Sequence, residues 1–385
     1  MSGFVLVSHY YNVHNIVKIR SEVVLYELEY FRCDDPLDNN PDLVIDVAQP
    51  IIPRTLFKRK LMVEDENAEM TNLKYTEHLG IFGAQFRIQF KSTKVFITVN
   101  NLIASSKHVL YVNLVEPILR FMLLIKGYML LHSACIADKA GNGLLLSAPP
   151  DTGKTTTVLK CLKAGFSFLS DDMTILKLPD IALSFPKPMT ISSHTFNTAT
   201  TISNGSNASG SSSLKIRSIV HSKKGRQFMR SLGRHDVPIF TFNTVGQAII
   251  RPPKFKVEDL LQKFSTLDST AVKRIMFLEK GSEENASIDN NVALQKATEN
   301  SDDAFLFPPY QEILQNLRIN NKTGKELLDL ERSLLSKFLS NVECITSKSN
   351  SKAWFEHIVQ SFQITAPLAT TSPTTASATP AISSS

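Results

Sequence analysis

The stretch Leu144-Leu-Leu-Ser-Ala-Pro-Pro-Asp-Thr-Gly-Lys-Thr-Thr-Thr157 has the residue types and spacing of a polyphosphate-binding loop. An apolar run enters a short loop, and the loop ends in Gly-Lys-Thr where a helical pattern begins. Val158, Leu159 and Leu162 share one face of that helix, and Gly165 stops it. Free backbone N–H groups at a helix N-terminus point at an anion, and the helix dipole adds to the attraction. Gly153 allows the backbone to approach phosphates closely. Lys154 sets a mobile cation against the terminal phosphates, and the Thr155 hydroxyl can ligate the Mg²⁺ that bridges them. Against the pattern G-x-x-x-x-G-K-[ST], Ala148 stands where the first Gly belongs, and Asp151 adds a carboxylate that must point away from phosphate. The bland alternative is a chance Gly-Lys-Thr tripeptide in a loop, and the strand before it and the helix after it favour the phosphate-binding reading.

The second element is Phe166-Ser-Phe-Leu-Ser-Asp-Asp-Met-Thr-Ile-Leu176, an apolar strand ending in two carboxylates, the first 17 residues after Lys154. A strand–helix–strand crossover brings the returning strand beside the loop strand, so Asp171 and Asp172 are expected next to the phosphates. Mg²⁺ takes carboxylate oxygens, and phosphoryl transfer to a hydroxyl uses a base near the acceptor. Two aspartates can divide those tasks. The bland alternative is an acidic turn. His132 is the third element, on a strand Leu130–Ala137 that pairs with the loop strand if the Gly-rich turn Asp138–Gly143 makes a hairpin. From pattern alone, a histidine on an apolar strand is more often a core residue than a catalytic one.

These residues must be held by a larger frame. Residues 1 to about 105 read as strands, including a hairpin of Ile81–Phe90 with Lys94–Val99 and candidates at Ser21–Leu28 and Asp42–Asp46. Val112–Lys126 reads as a helix, with Leu114, Ile118, Leu119, Met122 and Leu123 at helical spacing and Pro117 in its first turn. Arg274–Leu278 is a buried-strand candidate and Lys325–Leu339 an amphipathic helix. Residues 197–213 are too rich in Gly, Ser, Asn and Thr to pack, and residues 366–385 read as an uncharged, disordered tail.

Together, Leu131-His-Ser-Ala, the Gly-rich turn, Leu-Leu-Ser-Ala-x-x-x-x-Gly-Lys-Thr-Thr, Gly165-Phe and Leu-Ser-Asp-Asp resemble the C-terminal domains of HPr kinase/phosphorylases, which share a fold with phosphoenolpyruvate carboxykinase. The match covers about 130–176, with looser similarity through Pro186-Lys-Pro188 and Ile275-Met-Phe-Leu-Glu279. The resemblance implies an α+β or α/β fold: a phosphoenolpyruvate carboxykinase-like P-loop core of mixed sheet and helices, preceded by a small β-rich region. The implied organisation is a β-rich region 1–105, a nucleotide-binding core 106–345 with the insert 197–213, a C-terminal helical segment 346–365 and the tail 366–385. It makes Ala148, Asp151, Thr152, Gly153, Lys154, Thr155 and Thr156 the nucleotide contacts. Asp171, Asp172 and His132 become catalytic candidates, one aspartate as base and the other on metal, with Thr155 and Asp172 as the metal-ligand expectation. HPr kinases carry Gly at the position of Asp151 and usually an acidic residue at that of Thr156. Their Glu-Ile-Arg-Gly signature is faintly echoed by Lys215-Ile-Arg-Ser218. Arg217 is a candidate phosphate clamp, opening a basic run that reads equally as a solvated loop.

The implied function is an ATP- and Mg²⁺-dependent kinase that transfers the γ-phosphoryl group to a hydroxyl of a protein serine or a small molecule. The rival is a nucleotide-binding regulatory or scaffold protein without phosphotransfer. A mechanical ATPase fits poorly, because its acidic strand end lies further from the lysine. The 385 residues carry 42 Lys+Arg against 36 Asp+Glu, a net charge of +6 that does not argue for a polyanion partner. Four scattered cysteines exclude a disulfide scaffold and fit the cytoplasm. The most apolar run, Phe121–His132, is interrupted by Lys126 and Gly127, so no membrane span is expected. The expected partners are a nucleotide, an unidentified acceptor and, as an open option, a second copy of the chain, with no nucleic acid.

Overall fold

The computed structural model describes residues 7–34, 40–48, 59–67, 70–79, 82–149, 152–190, 238–249, 254–261, 263–305 and 309–363. Asp151, the stretch 197–213, Arg217 with its basic run, and the tail 366–385 lie outside these residues.

The chain is a mixed α/β protein with two large sheets. The first has eight strands from residues 9–99, ordered Arg32–Cys33, His9–Val13, Val17–Ser21, Leu43–Val47, Lys94–Val99, Phe82–Lys91, Met70–Leu79 and Lys60–Asn67. The expected hairpin is present, with Lys91 opposite Lys94 and Ser92 in the turn at φ 54°. The strand expected at Ser21–Leu28 is absent. The chain strands over Val17–Ser21, the Ser21 hydroxyl then bonds both the N–H and the carbonyl of Val23, and a 3₁₀ turn follows over Tyr26–Phe31. A serine that satisfies its neighbours' backbone locally competes with the ladder.

The helix predicted from Val112 starts earlier and runs Lys107–Ile125. It contains a π turn over Tyr111–Val115, where the Glu116 N–H reaches the Tyr111 carbonyl. Pro117 has no N–H for the preceding turn and its ring crowds that turn's carbonyl, so the helix widens there. By length and composition this helix could cross a membrane, and 83% of its apolar window is buried within the fold. It packs on both sheets. One buried cluster joins Val13 and Ile19 through Leu114, Leu119 and Met122 to Leu145 and Ile275.

The second sheet has ten strands. Its main path is Ser265–Thr266, Ser167–Ser170, Ala134–Ala137, Asn142–Ser147, Ser269–Glu279, Ile181–Leu183, Thr174–Lys177 and Tyr128–Leu131, with Glu343–Lys348 also parallel to Ser269–Glu279. The boundary expected at 345 therefore falls inside a strand of the core. The loop strand is covered on both faces: Leu145 faces the first cluster, while Leu144 and Leu146 face a second made with Val158, Leu162, Trp354 and Ile358. The helices Lys154–Lys163 and Trp354–Gln363 supply that second layer.

Candidate functional site

Topology gathers the site. Tyr128–Leu131 is eighth along the sheet path and Ala134–Ala137 is third, yet only His132 and Ser133 join them. Such a link spans no more than about 11 Å, so the sheet curls until these strands approach. The turn holding Asp171 and Asp172 makes the same jump, from Ser167–Ser170 to Thr174–Lys177. The hydroxyl of Thr174 ties both crossings together, donating to the Ser133 carbonyl at 3.0 Å and lying 2.6 Å from Ser170 Oγ. Register does the rest. Ala134 faces Leu146 and Cys135 faces Ser170, so His132, Ala148 and Asp171 all fall at one end of the sheet.

One expectation about this geometry is wrong. Ser167–Ser170 does not lie beside the loop strand. Ala134–Ala137, the hairpin partner of the loop strand, occupies that edge, and the returning strand pairs beyond it. The strand foreseen over Leu130–Ala137 is also broken, and His132 sits in the break.

The helix Lys154–Lys163 begins as expected at Gly-Lys-Thr. Gly153 has φ +127°, and a Cβ there would come within 3.1 Å of the Trp354 ring. The positive φ favours glycine, and the close Trp354 ring leaves little room for a side chain. Trp354 is fully buried, its indole N–H donating to the Ser347 carbonyl at 3.2 Å. Thr152 folds the loop back through its hydroxyl, which donates to the Pro149 carbonyl at 2.8 Å. Ala148 is buried in the second cluster together with Val158 and Leu162 of the helix. Thr156 is half-buried in the first turn.

The Lys154 Nζ is buried and has no hydrogen-bond partner among the described residues. Burial lowers its pKa, against the pull of Asp172 and Asp171. Thr155 Oγ1 donates to Asp171 Oδ2 at 2.9 Å, while Asp171 Oδ1 is buried and unpartnered among the described residues. Burial raises the Asp171 carboxyl to about 6, in spite of Lys154. The hydroxyl expected to share a metal with Asp172 thus meets Asp171 instead. The described residues hold no group of three or more His, Cys, Asp or Glu that could grip a metal alone. Thr155 and Asp171 suit a cation whose other ligands are phosphate oxygens and water.

Asp172 faces a different set. Its Oδ2 is 2.7 Å from Lys187 Nζ, and its Oδ1 is 3.3 Å from His132 Nε2. Burial of the acid opposes its charge, yet Lys187, His132 and Lys154 outweigh this and hold it well below the usual carboxylate range. Its side chain is 45% exposed, so one edge remains open. Lys187 also bonds Glu116 Oε2 at 2.6 Å. His132 Nδ1 is 3.0 Å from the Asn300 carbonyl and must donate to it. Its Nε2 then bonds Asp172 only when the ring carries both protons. The Asn300 side chain in turn donates to Ser147 Oγ at the end of the loop strand.

The structure therefore brings together Lys154, Thr155, Asp171, Asp172 and His132. Sequence reasoning missed Lys187, Glu116, Asn300 and Trp354. Lys187 lies in Pro186-Lys-Pro188, a triplet noticed for its similarity but given no role. No family model matches the chain, and no curated protein matches it.

Proposed function

We propose that the protein binds a nucleoside triphosphate with Mg²⁺ and passes the γ-phosphoryl group to a hydroxyl acceptor, as a divergent relative of HPr kinase-like enzymes. One observation carries this reading. Lys154 Nζ and Asp171 Oδ1 are opposite charges, both buried and without hydrogen-bond partners among the described residues, at the N-terminus of the helix Lys154–Lys163. Buried polar atoms are normally satisfied. A cation that lacks a bond beside free helix N–H groups suits a phosphate, and a carboxylate oxygen that lacks one beside Thr155 suits a metal. Bound Mg²⁺ would supply charge neutralisation on the phosphates.

The chain's own residues supply the rest. Lys154 and the backbone of 153–156 orient the phosphates. Thr155 and Asp171 hold the cation side. Asp172, kept ionised by Lys187 and open at one edge, is placed to take a proton from the acceptor. His132 steadies its Oδ1. The test is a pair of variants with Mg–ATP binding and turnover measured separately, using slow hydrolysis where no acceptor is known. Asp172→Asn is expected to lose turnover by about 10²–10⁴ with near-normal ATP affinity. Asp171→Asn is expected to raise the Mg²⁺ requirement. Wild-type rates in both variants would leave a nucleotide-binding regulatory protein as the better account.

A further inference from the structure

We infer that Lys187 is a positioning residue that turns the Asp172 carboxylate so that Oδ1 alone faces the acceptor hydroxyl. This rests on the kinase reading above. Lys187 is 7% exposed, and its ammonium lies between two carboxylate oxygens, Glu116 Oε2 at 2.6 Å and Asp172 Oδ2 at 2.7 Å. The Tyr111 ring lies 5.4 Å from the same nitrogen, within cation–π range. Two of the three N–H donors of this ammonium are held by carboxylates, whereas Lys154 Nζ has no hydrogen-bond partner among the described residues, which separates the two roles.

Each anchor is itself fixed. Glu116 follows directly on the π turn, and its backbone N–H is bonded to the Tyr111 carbonyl. Pro186 and Pro188 restrict the backbone on either side of Lys187. Beyond them, Met189–Thr190 pairs with Lys254–Phe255. With Oδ2 held by Lys187, Oδ1 is the oxygen left for the acceptor; His132 Nε2 lies 3.3 Å from it, and the Asp172 side chain is 45% exposed. In the transfer, the acceptor oxygen bonds the γ-phosphorus and its proton passes to Asp172 Oδ1. The bond from that phosphorus to the β–γ bridging oxygen breaks, and its electron pair leaves with the nucleoside diphosphate. A carboxylate free to rotate would hold an oxygen in line with the acceptor hydroxyl only part of the time, whichever of its two equivalent oxygens that was.

Lys187→Met alone leaves Glu116 buried beside Asp172 without this cation, which destabilises the fold whatever the residue does in transfer. The informative variant is therefore Lys187→Met with Glu116→Gln, which removes both buried charges. Its melting curve, Mg–ATP affinity and kcat for ATP hydrolysis are compared with wild type and with Lys154→Ala. The expected result is cooperative unfolding, affinity within about threefold of wild type and kcat lower by about a hundredfold or more. Turnover within about threefold of wild type would overturn the positioning role, while Lys154→Ala still lost binding and upheld the nucleotide site. Loss of cooperative unfolding would make Lys187 and Glu116 structural and overturn it as well. A wild-type protein that neither binds nor hydrolyses Mg–ATP would remove the kinase reading and this inference together.

Discussion

Asp171 and Asp172 are consecutive residues whose carboxylates serve different partners: Asp171 Oδ2 accepts the Thr155 hydroxyl at 2.9 Å, and Asp172 Oδ2 accepts the Lys187 ammonium at 2.7 Å. Their acidities separate accordingly, Asp171 raised to about 6 by burial and Asp172 held well below the usual range. A pair of like charges pushed apart in this way can take two roles within one turn of chain.

Asp171 should weaken the ligand-free fold at neutral pH. Its folded pKa, about 6, lies above the ordinary value of 3.8. Its contribution to stability is therefore complete below the ordinary value and is lost as pH rises through the folded one. Asp171→Asn should be more stable than wild type at neutral pH, by about 1–3 kcal/mol, and the gap should close in acid. Thermal melts across that range, without nucleotide or Mg²⁺, check the sign.

Lys154→Ala should remove a charge-assisted contact of about 1.5–3 kcal/mol, or ten- to a hundredfold in ATP affinity. Since Lys154 Nζ has no hydrogen-bond partner among the described residues, the ligand-free variant should melt no lower than wild type. Calorimetry on both proteins decides this, and equal ATP binding would count against the site.

Gly153→Ala should cost about 1–3 kcal/mol through the positive φ alone. The added methyl would also press on Trp354 at 3.1 Å. Trp354→Ala should cost about 3–5 kcal/mol as a large buried truncation. It should also weaken nucleotide binding, because the loop at Gly153 loses its backing. Denaturant melts and ATP titrations separate the two effects.

Glu27 should make the fold sensitive to strong acid. It is buried and bonded to His108 at 2.7 Å and to Lys254. Burial raises its pKa, but His108 and Lys254 prevail and bring it down from 4.5 to about 2. A depressed carboxylate contributes stability above its ordinary pKa and loses it as pH falls through the folded one. Glu27→Gln should lose about 2–4 kcal/mol at neutral pH, with the difference from wild type shrinking in strong acid.

The loop at Gly153-Lys-Thr155 was legible because strand, loop and helix are contiguous, and Asp171–Asp172 follow within one crossover. The hairpin at Lys91–Lys94 and the helix Gly324–Leu339 were legible for the same reason, local periodicity. Pairing between distant segments was not. Nothing in the order of residues shows that Ala134–Ala137 separates the loop strand from Ser167–Ser170. Lys187 meets Glu116 across 71 positions, and His132 meets the Asn300 backbone across 168. A backbone carbonyl carries no sequence signal at all. The π turn before Pro117 was hidden because a proline near a helix start suits a regular first turn equally well.

Trp354, which backs Gly153, follows it by roughly 200 residues, and the parallel neighbour of the loop strand, Ser269–Glu279, with Glu343–Lys348 beyond it, also comes late. At translation rates of about 5–20 residues per second, that interval is about 10–40 s. The nascent chain therefore carries Gly-Lys-Thr for that time without its Trp354 backing. On the nucleotide reading proposed above, a chain that stops short of Trp354 would hold the motif without the site.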